Sequence, residues 1–82
     1  MDYDIGFKPR AVKDLRALDK REGARIAEKI EALRRDLTGD VKNLTNFTPE
    51  YRLRVGNYRL LFALEDNKIV IYRVQHRKDS YK

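Results

Sequence analysis

Tyr51-Arg52-Leu53-Arg54-Val55-Gly56-Asn57-Tyr58-Arg59-Leu60-Leu61-Phe62-Ala63-Leu64-Glu65-Asp66-Asn67-Lys68-Ile69-Val70-Ile71-Tyr72-Arg73-Val74-Gln75 reads as three strands and two tight turns in one run. Apolar and basic residues alternate from Tyr51 to Val55, the period of a strand with one buried face. Gly56-Asn57 supplies residues that tolerate the positive φ of a two-residue primed turn, and Asp66-Asn67 marks a second turn. The run predicts strands over 51–55, 58–65 and 68–75, joined as an antiparallel meander.

Alternation assigns the faces. Tyr51, Leu53, Val55, Tyr58, Leu60, Phe62, Leu64, Ile69 and Ile71 share one side, enough apolar surface to pack helices. The other side carries Arg52, Arg54 and Arg59, then Leu61, Ala63, Val70, Tyr72 and Val74. With Val55 opposite Tyr58, Arg54 faces Arg59, and like charges directly opposite one another destabilise a strand pair. An anionic ligand is the simplest reason to keep three arginines there. The apolar part of that side is expected to be exposed and to need a partner to cover it. Arg73 breaks the scheme, because strict alternation puts it on the helix-packed side; an edge position or a slipped register would accommodate it.

Working back toward the N-terminus, Tyr3, Ile5 and Phe7 alternate with Asp4 and Gly6 as a short strand that ends near Pro9, a residue suited to a first helical turn. Val12, Leu15 and Leu18 recur at helical spacing. After a break expected over 19–23, Ile26, Ile30, Leu33 and Leu37 form a second and stronger stripe. Gly39 fits a helix C-cap, and 40–49 reads as a loop. The expectation is one α+β domain over residues 1–82, ordered β-α-α-β-β-β, with the antiparallel meander packed on two helices.

Composition narrows the chemistry. No cysteine is present, which excludes a disulfide framework or thiolate zinc site, and a single histidine excludes a multi-histidine metal site, so no cofactor is expected. No apolar run approaches the roughly 20 residues needed to span a bilayer. Met1-Asp2-Tyr3-Asp4 also lacks the basic and apolar segments of a signal peptide, so a cytoplasmic protein is expected, with no membrane partner. The net charge of +6 is uneven: residues 1–50 hold 11 Lys/Arg against 10 Asp/Glu, and residues 51–82 hold 8 against 3. That basic third attracts phosphate backbones or an acidic protein.

The meander register brings Gln75 opposite Tyr58, so His76 emerges beside Tyr58 and Arg59 and converges on the arginine face. Arg77 and Tyr81 would share a side if the terminus turns helical. Such a set suits metal-free cleavage of RNA, in which the ribose 2′-hydroxyl attacks phosphorus and the 5′-oxygen leaves. A base, an acid and fixed cations are required, and the cations often supply the largest effect. Arginine grips phosphate in two places but stays charged, so it serves poorly as a base. Histidine ordinarily titrates near pH 6.5, close to neutrality. Tyr81, Tyr58 or Tyr51 suits stacking on an unpaired base.

The element order, Tyr-Arg-Leu-Arg-Val-Gly-Asn-Tyr-Arg at 51–59, and Val74-x-His76-Arg77-x-x-x-Tyr81 resemble the RelE/ParE toxin superfamily, most closely its RelE branch. The resemblance implies a type II toxin, held in a hetero-oligomer by a cognate antitoxin, that cleaves mRNA in the A site of the 70S ribosome. It further implies that Arg52 and Arg54 match the two basic residues of the second strand and Arg59 the phosphate-stabilising arginine. Arg77 and Tyr81 match the terminal arginine and base-stacking tyrosine, with His76 as in the histidine-containing members. The sequence departs from the best-known members in carrying arginine where they have lysine, and it lacks the carboxylate of a glutamate-histidine sub-branch. Two other readings follow from the same fold: a ParE-like gyrase inhibitor without nuclease chemistry, and a module that binds nucleic acid without cutting it.

Overall fold

A computed structural model describes residues 3–35, 41–43 and 49–78. The order is β1 (Asp4–Phe7), α1 (Pro9–Arg16), α2 (Lys20–Arg35), β2 (Val41–Asn43), β3 (Tyr51–Val55), β4 (Tyr58–Glu65) and β5 (Lys68–His76). The strands form one sheet in the order β1-β5-β4-β3-β2. The α+β class and the antiparallel meander β3-β4-β5 are as expected. Two edges extend that meander: β1 pairs parallel to β5, and β2 pairs antiparallel to β3.

The strand β2 corrects the reading of 40–49 as loop. Three residues are too few to show a period, and this strand exists through its ladder to β3, where Val41 meets Leu53 and Asn43 meets Tyr51. The helices begin as local chemistry dictates. Pro9 occupies the first turn of α1, where a missing N–H costs nothing. The break between helices is shorter than expected, because Asp19 caps α2: its carboxylate accepts from Glu22 N–H at 2.8 Å and its carbonyl accepts from Gly23 N–H at 2.9 Å. Gly23 therefore lies inside the helix. Leu37 and Gly39 lie outside the described residues.

Ile26, Ile30 and Leu33 of α2 and Ala11 of α1 pack on Leu53, Val55, Leu60, Phe62, Ile69, Ile71 and Val74 of the sheet. Tyr51 stacks on Phe62 with ring centroids 5.5 Å apart, an across-strand aromatic pair at the edge of this core.

Between β4 and β5 the register breaks. Phe62 is opposite Ile71 but Leu61 is opposite Arg73, so Tyr72 is an extra residue, a β-bulge. One added residue exchanges the two faces for everything beyond it. Val74, expected on the outer face, is 4% exposed in the helix-packed core. His76, not Gln75, stands opposite Tyr58. The exposed apolar strip expected from Leu61, Val70, Tyr72 and Val74 is likewise corrected. Val70 is 7% exposed, Leu61 and Tyr72 are half-buried, and the Lys8 ammonium sits 5.2 Å from the Tyr72 ring centre.

The bulge also resolves Arg73. Its Nε donates to Asp14 Oδ2 of α1 at 2.8 Å, and the same oxygen accepts from Val74 N–H at 2.9 Å. Burial disfavours the charged carboxylate. The Arg73 bond, the Val74 N–H and the charges of Arg73 and Arg10 outweigh it, holding the Asp14 carboxyl below its ordinary range.

Candidate anion site at a hairpin tip

The site is built on one of the two-residue turns of the sheet. Val55 pairs with Tyr58 and Arg54 with Arg59, leaving Gly56-Asn57 as a two-residue turn. Gly56 has φ +59°, and positive φ at the first turn position gives the primed geometry that matches strand twist. A Cβ at Gly56 would lie 3.2 Å from Nη1 of Arg25, a close approach to the tip of a flexible side chain, so the Arg25 guanidinium of α2 lies against the turn.

Arg54 and Arg59 are thus held on one rung and one face. Beyond β5 the chain turns back on the hairpin, and Arg77 N–H donates to the Asn57 carbonyl at 2.7 Å. Arg54, Arg59 and Arg77 line one cleft with Gly56, Asn57 and Tyr58, of about 160 Å³. Three fixed guanidiniums around a small cleft suit a phosphate group, which they can grip with paired N–H donors.

His76 occupies the neighbouring space. Its ring meets Tyr58 edge-on with centroids 5.2 Å apart, on the helix-packed face that the bulge assigns to it. It lines a second cavity of about 490 Å³ with Asn57, Arg77 and Lys78, so Asn57 and Arg77 border both spaces. Lys78 N–H donates to His76 Nδ1 at 3.2 Å. That bond requires a lone pair on Nδ1, so the neutral ring carries its proton on Nε2 and presents a donor there.

Arg52 stands one step back on the arginine face, opposite Leu61 and outside the cleft lining. Its Nε is buried and finds no hydrogen-bond partner among the described residues. Tyr81 lies outside the described residues. The structure therefore brings Arg54, Arg59 and Arg77 together, sets His76 beside them on the other face, and leaves Arg52 at the margin. Arg25 was not legible in the sequence: it is one of several charges on a solvated helix, and only the packing of α2 against the turn singles it out.

A larger groove, about 620 Å³, runs between β1 and the helices. Ile5, Leu15, Ala27 and Ile30 line it together with Glu31 and Arg34. Its mixed charge does not select an anion.

The sequence matches the family model described as the ParE toxin of type II toxin-antitoxin systems, parDE, over residues 5–81. It is similar to Toxin RelE3 of Methanocaldococcus jannaschii, 35% identical over 80 residues that cover 92% of this chain and 91% of that protein. The fold is similar to a chain of the toxin-antitoxin complex RelBE2 from Mycobacterium tuberculosis, with TM-score 0.81 and 32% identity over 94% of this chain and 100% of that one. It is also similar to a chain of the RelB-RelE antitoxin-toxin complex from Methanococcus jannaschii, with TM-score 0.78 and 33% identity over 94% and 95%.

Proposed function

The chain belongs to the RelE/ParE superfamily of type II toxins as a RelE-like member, and on that premise we propose that it is an mRNA endoribonuclease acting in the A site of the 70S ribosome. The observation that carries this reading is the cleft in which Arg54, Arg59 and Arg77 meet, with His76 alongside. In the reaction the 2′-oxygen attacks the adjacent phosphorus as the bond from phosphorus to the 5′-oxygen breaks. The products are a 2′,3′-cyclic phosphate and a 5′-hydroxyl. One proton leaves the 2′-hydroxyl to solvent water and one joins the 5′-oxygen from solvent, so the transfers balance.

Arg54, Arg59 and Arg77 hold the phosphoryl oxygens and stabilise the charge that grows on them, an effect that needs donors already fixed in place. Arg52 extends the positive face along the backbone of the message. His76, in the tautomer that the Lys78 bond favours, donates through Nε2 to a phosphoryl or leaving oxygen. Tyr81 stacks on the exposed base. The working partners are the ribosome-bound message and a cognate antitoxin; the antitoxin is supported by the toxin-antitoxin complexes in which the similar chains are found. The protein acts in the cytoplasm and needs no cofactor.

In a translating extract programmed with a defined message, the wild-type chain is expected to produce codon-phased cuts that disappear with Arg59→Ala. Intact message at high toxin concentration rejects the reading. The match to the ParE toxin model favours a second reading, inhibition of DNA gyrase without chemistry. A supercoiling assay separates them: gyrase inhibition that survives Arg59→Ala, with no cut message, selects the second.

A further inference from the structure

We propose that Asp14 is a positioning residue for the arginine cleft: by pinning the bulge in β5 it makes Arg77, rather than His76, the third basic side chain beside Arg54 and Arg59. The importance of this for cutting RNA rests on the function proposed above, but the geometric claim does not.

Parity decides which face each side chain of β5 takes. In a regular β5, residues 70, 72, 74 and 76 would share the face of Arg52, Arg54 and Arg59, and His76 would join the arginines. The extra residue Tyr72 reverses this. Val74 enters the core, His76 meets Tyr58, and Arg77 lines the cleft.

A bulge at this place needs support, because it falls where the sheet loses a neighbour. Strand β1 pairs with β5 only as far as Ile71, so among the described residues no strand flanks the backbone beyond on that side. Asp14 takes over. One carboxylate oxygen accepts from both Val74 N–H and Arg73 Nε, while the other is 3.4 Å from Arg73 Nη2. Its side chain is 15% exposed and lies three residues after Ala11, which is fully buried, so the packing of α1 fixes where the carboxylate sits. Three residues after Val74, the bond from Arg77 N–H to the Asn57 carbonyl holds the other end of the segment. Asp14 and the hairpin turn thus clamp the ends of a four-residue segment that contains His76.

The chain has one histidine, so its ring resonances report on this segment without ambiguity. Two variants separate the acceptor from the fold. Asp14→Asn keeps an oxygen for Val74 N–H, whereas Asp14→Leu keeps the approximate shape and a good helix former but has no acceptor. Asp14→Leu is expected to lose the nuclear Overhauser contacts between Tyr58 and His76 and to bind inorganic phosphate about tenfold more weakly, the low end of what losing one hydrogen bond to a charged group costs. Asp14→Asn is expected to keep both. Losing a negative charge should by itself strengthen phosphate binding, so weaker binding cannot come from net charge.

A folded Asp14→Leu protein with unchanged Tyr58–His76 contacts and phosphate affinity overturns the proposal, whether or not the wild type cuts RNA. Failure of the wild type to cut RNA, with the spectroscopic result as expected, removes the function and leaves the positioning role. If Asp14→Leu does not fold, Arg73→Leu decides. It leaves the bond from Val74 to Asp14 in place, so His76 should stay beside Tyr58; its displacement there overturns the assignment of the pin to Asp14.

Discussion

The two hairpins of the meander are built alike and charged differently. Each closes through a two-residue turn whose first residue has positive φ, Gly56 at +59° and Asp66 at +57°. At the β4–β5 turn the flanking pair is Glu65 opposite Lys68, unlike charges that favour pairing. At the β3–β4 turn the first charged rung is Arg54 opposite Arg59, which opposes it. The turn residues differ in the same sense. Aspartate tolerates the left-handed region at some cost, whereas Gly56 also yields the space into which Arg25 reaches. On the function proposed above, the Glu65–Lys68 rung serves strand pairing, whereas the arginine rung serves the binding of a phosphate.

The largest effect that sharpens the contrast is on cleavage. Arg77→Ala is expected to lower the rate of message cleavage about 10²- to 10³-fold, the usual loss for one donor that stabilises transition-state charge, with the melting temperature little changed. An equal loss from Lys68→Ala, at the other turn, would erase the distinction between the hairpins.

Next comes the support behind the first hairpin. Asp14→Ala is expected to cost about 1–3 kcal/mol in urea unfolding, because Arg73 and Val74 N–H lose their acceptor. The pH dependence has a definite sign. The folded Asp14 carboxyl titrates below its ordinary value of 3.8, so its contribution is complete above that pH and is lost as pH falls through the lower folded value. Removing the carboxyl with Asp14→Asn should flatten that part of the acid limb, and an unaltered limb would contradict the assignment.

Smaller still is the effect of the unlike-charged rung on stability. Lys68→Glu sets like charges opposite one another at the second hairpin and is expected to destabilise the fold by about 0.2–1 kcal/mol. Unchanged thermal melts would mean that the Glu65–Lys68 pair contributes nothing to that hairpin. The smallest effect belongs to Arg25. Its replacement by alanine should reduce by about 0.7 the slope of log affinity against log salt for a single-stranded RNA. An unchanged slope means that Arg25 touches no phosphate.

What the sequence made legible follows from the range of each interaction. The Arg54–Arg59 rung was readable because a two-residue turn fixes the register locally, and the Ile26, Ile30 and Leu33 stripe because helical spacing is local too. Strand β2 was not, since its three residues form a strand only through β3. The faces of Val74, His76 and Arg77 were not legible either. They depend on a bulge whose acceptor, Asp14, lies about sixty residues away in sequence. Asp19 was legible in principle, because Asp-x-x-Glu is a capping pattern, but Gly23 obscured it.

On the function proposed above, the arginine rung is there for RNA. Wild type and Arg59→Glu, given at equal folded concentration to a translating extract, are compared by the cuts that they leave in one message. Codon-phased cuts are expected from the wild type and none from the variant. Cuts by Arg59→Glu at the wild-type rate would mean that the rung does not act on the message.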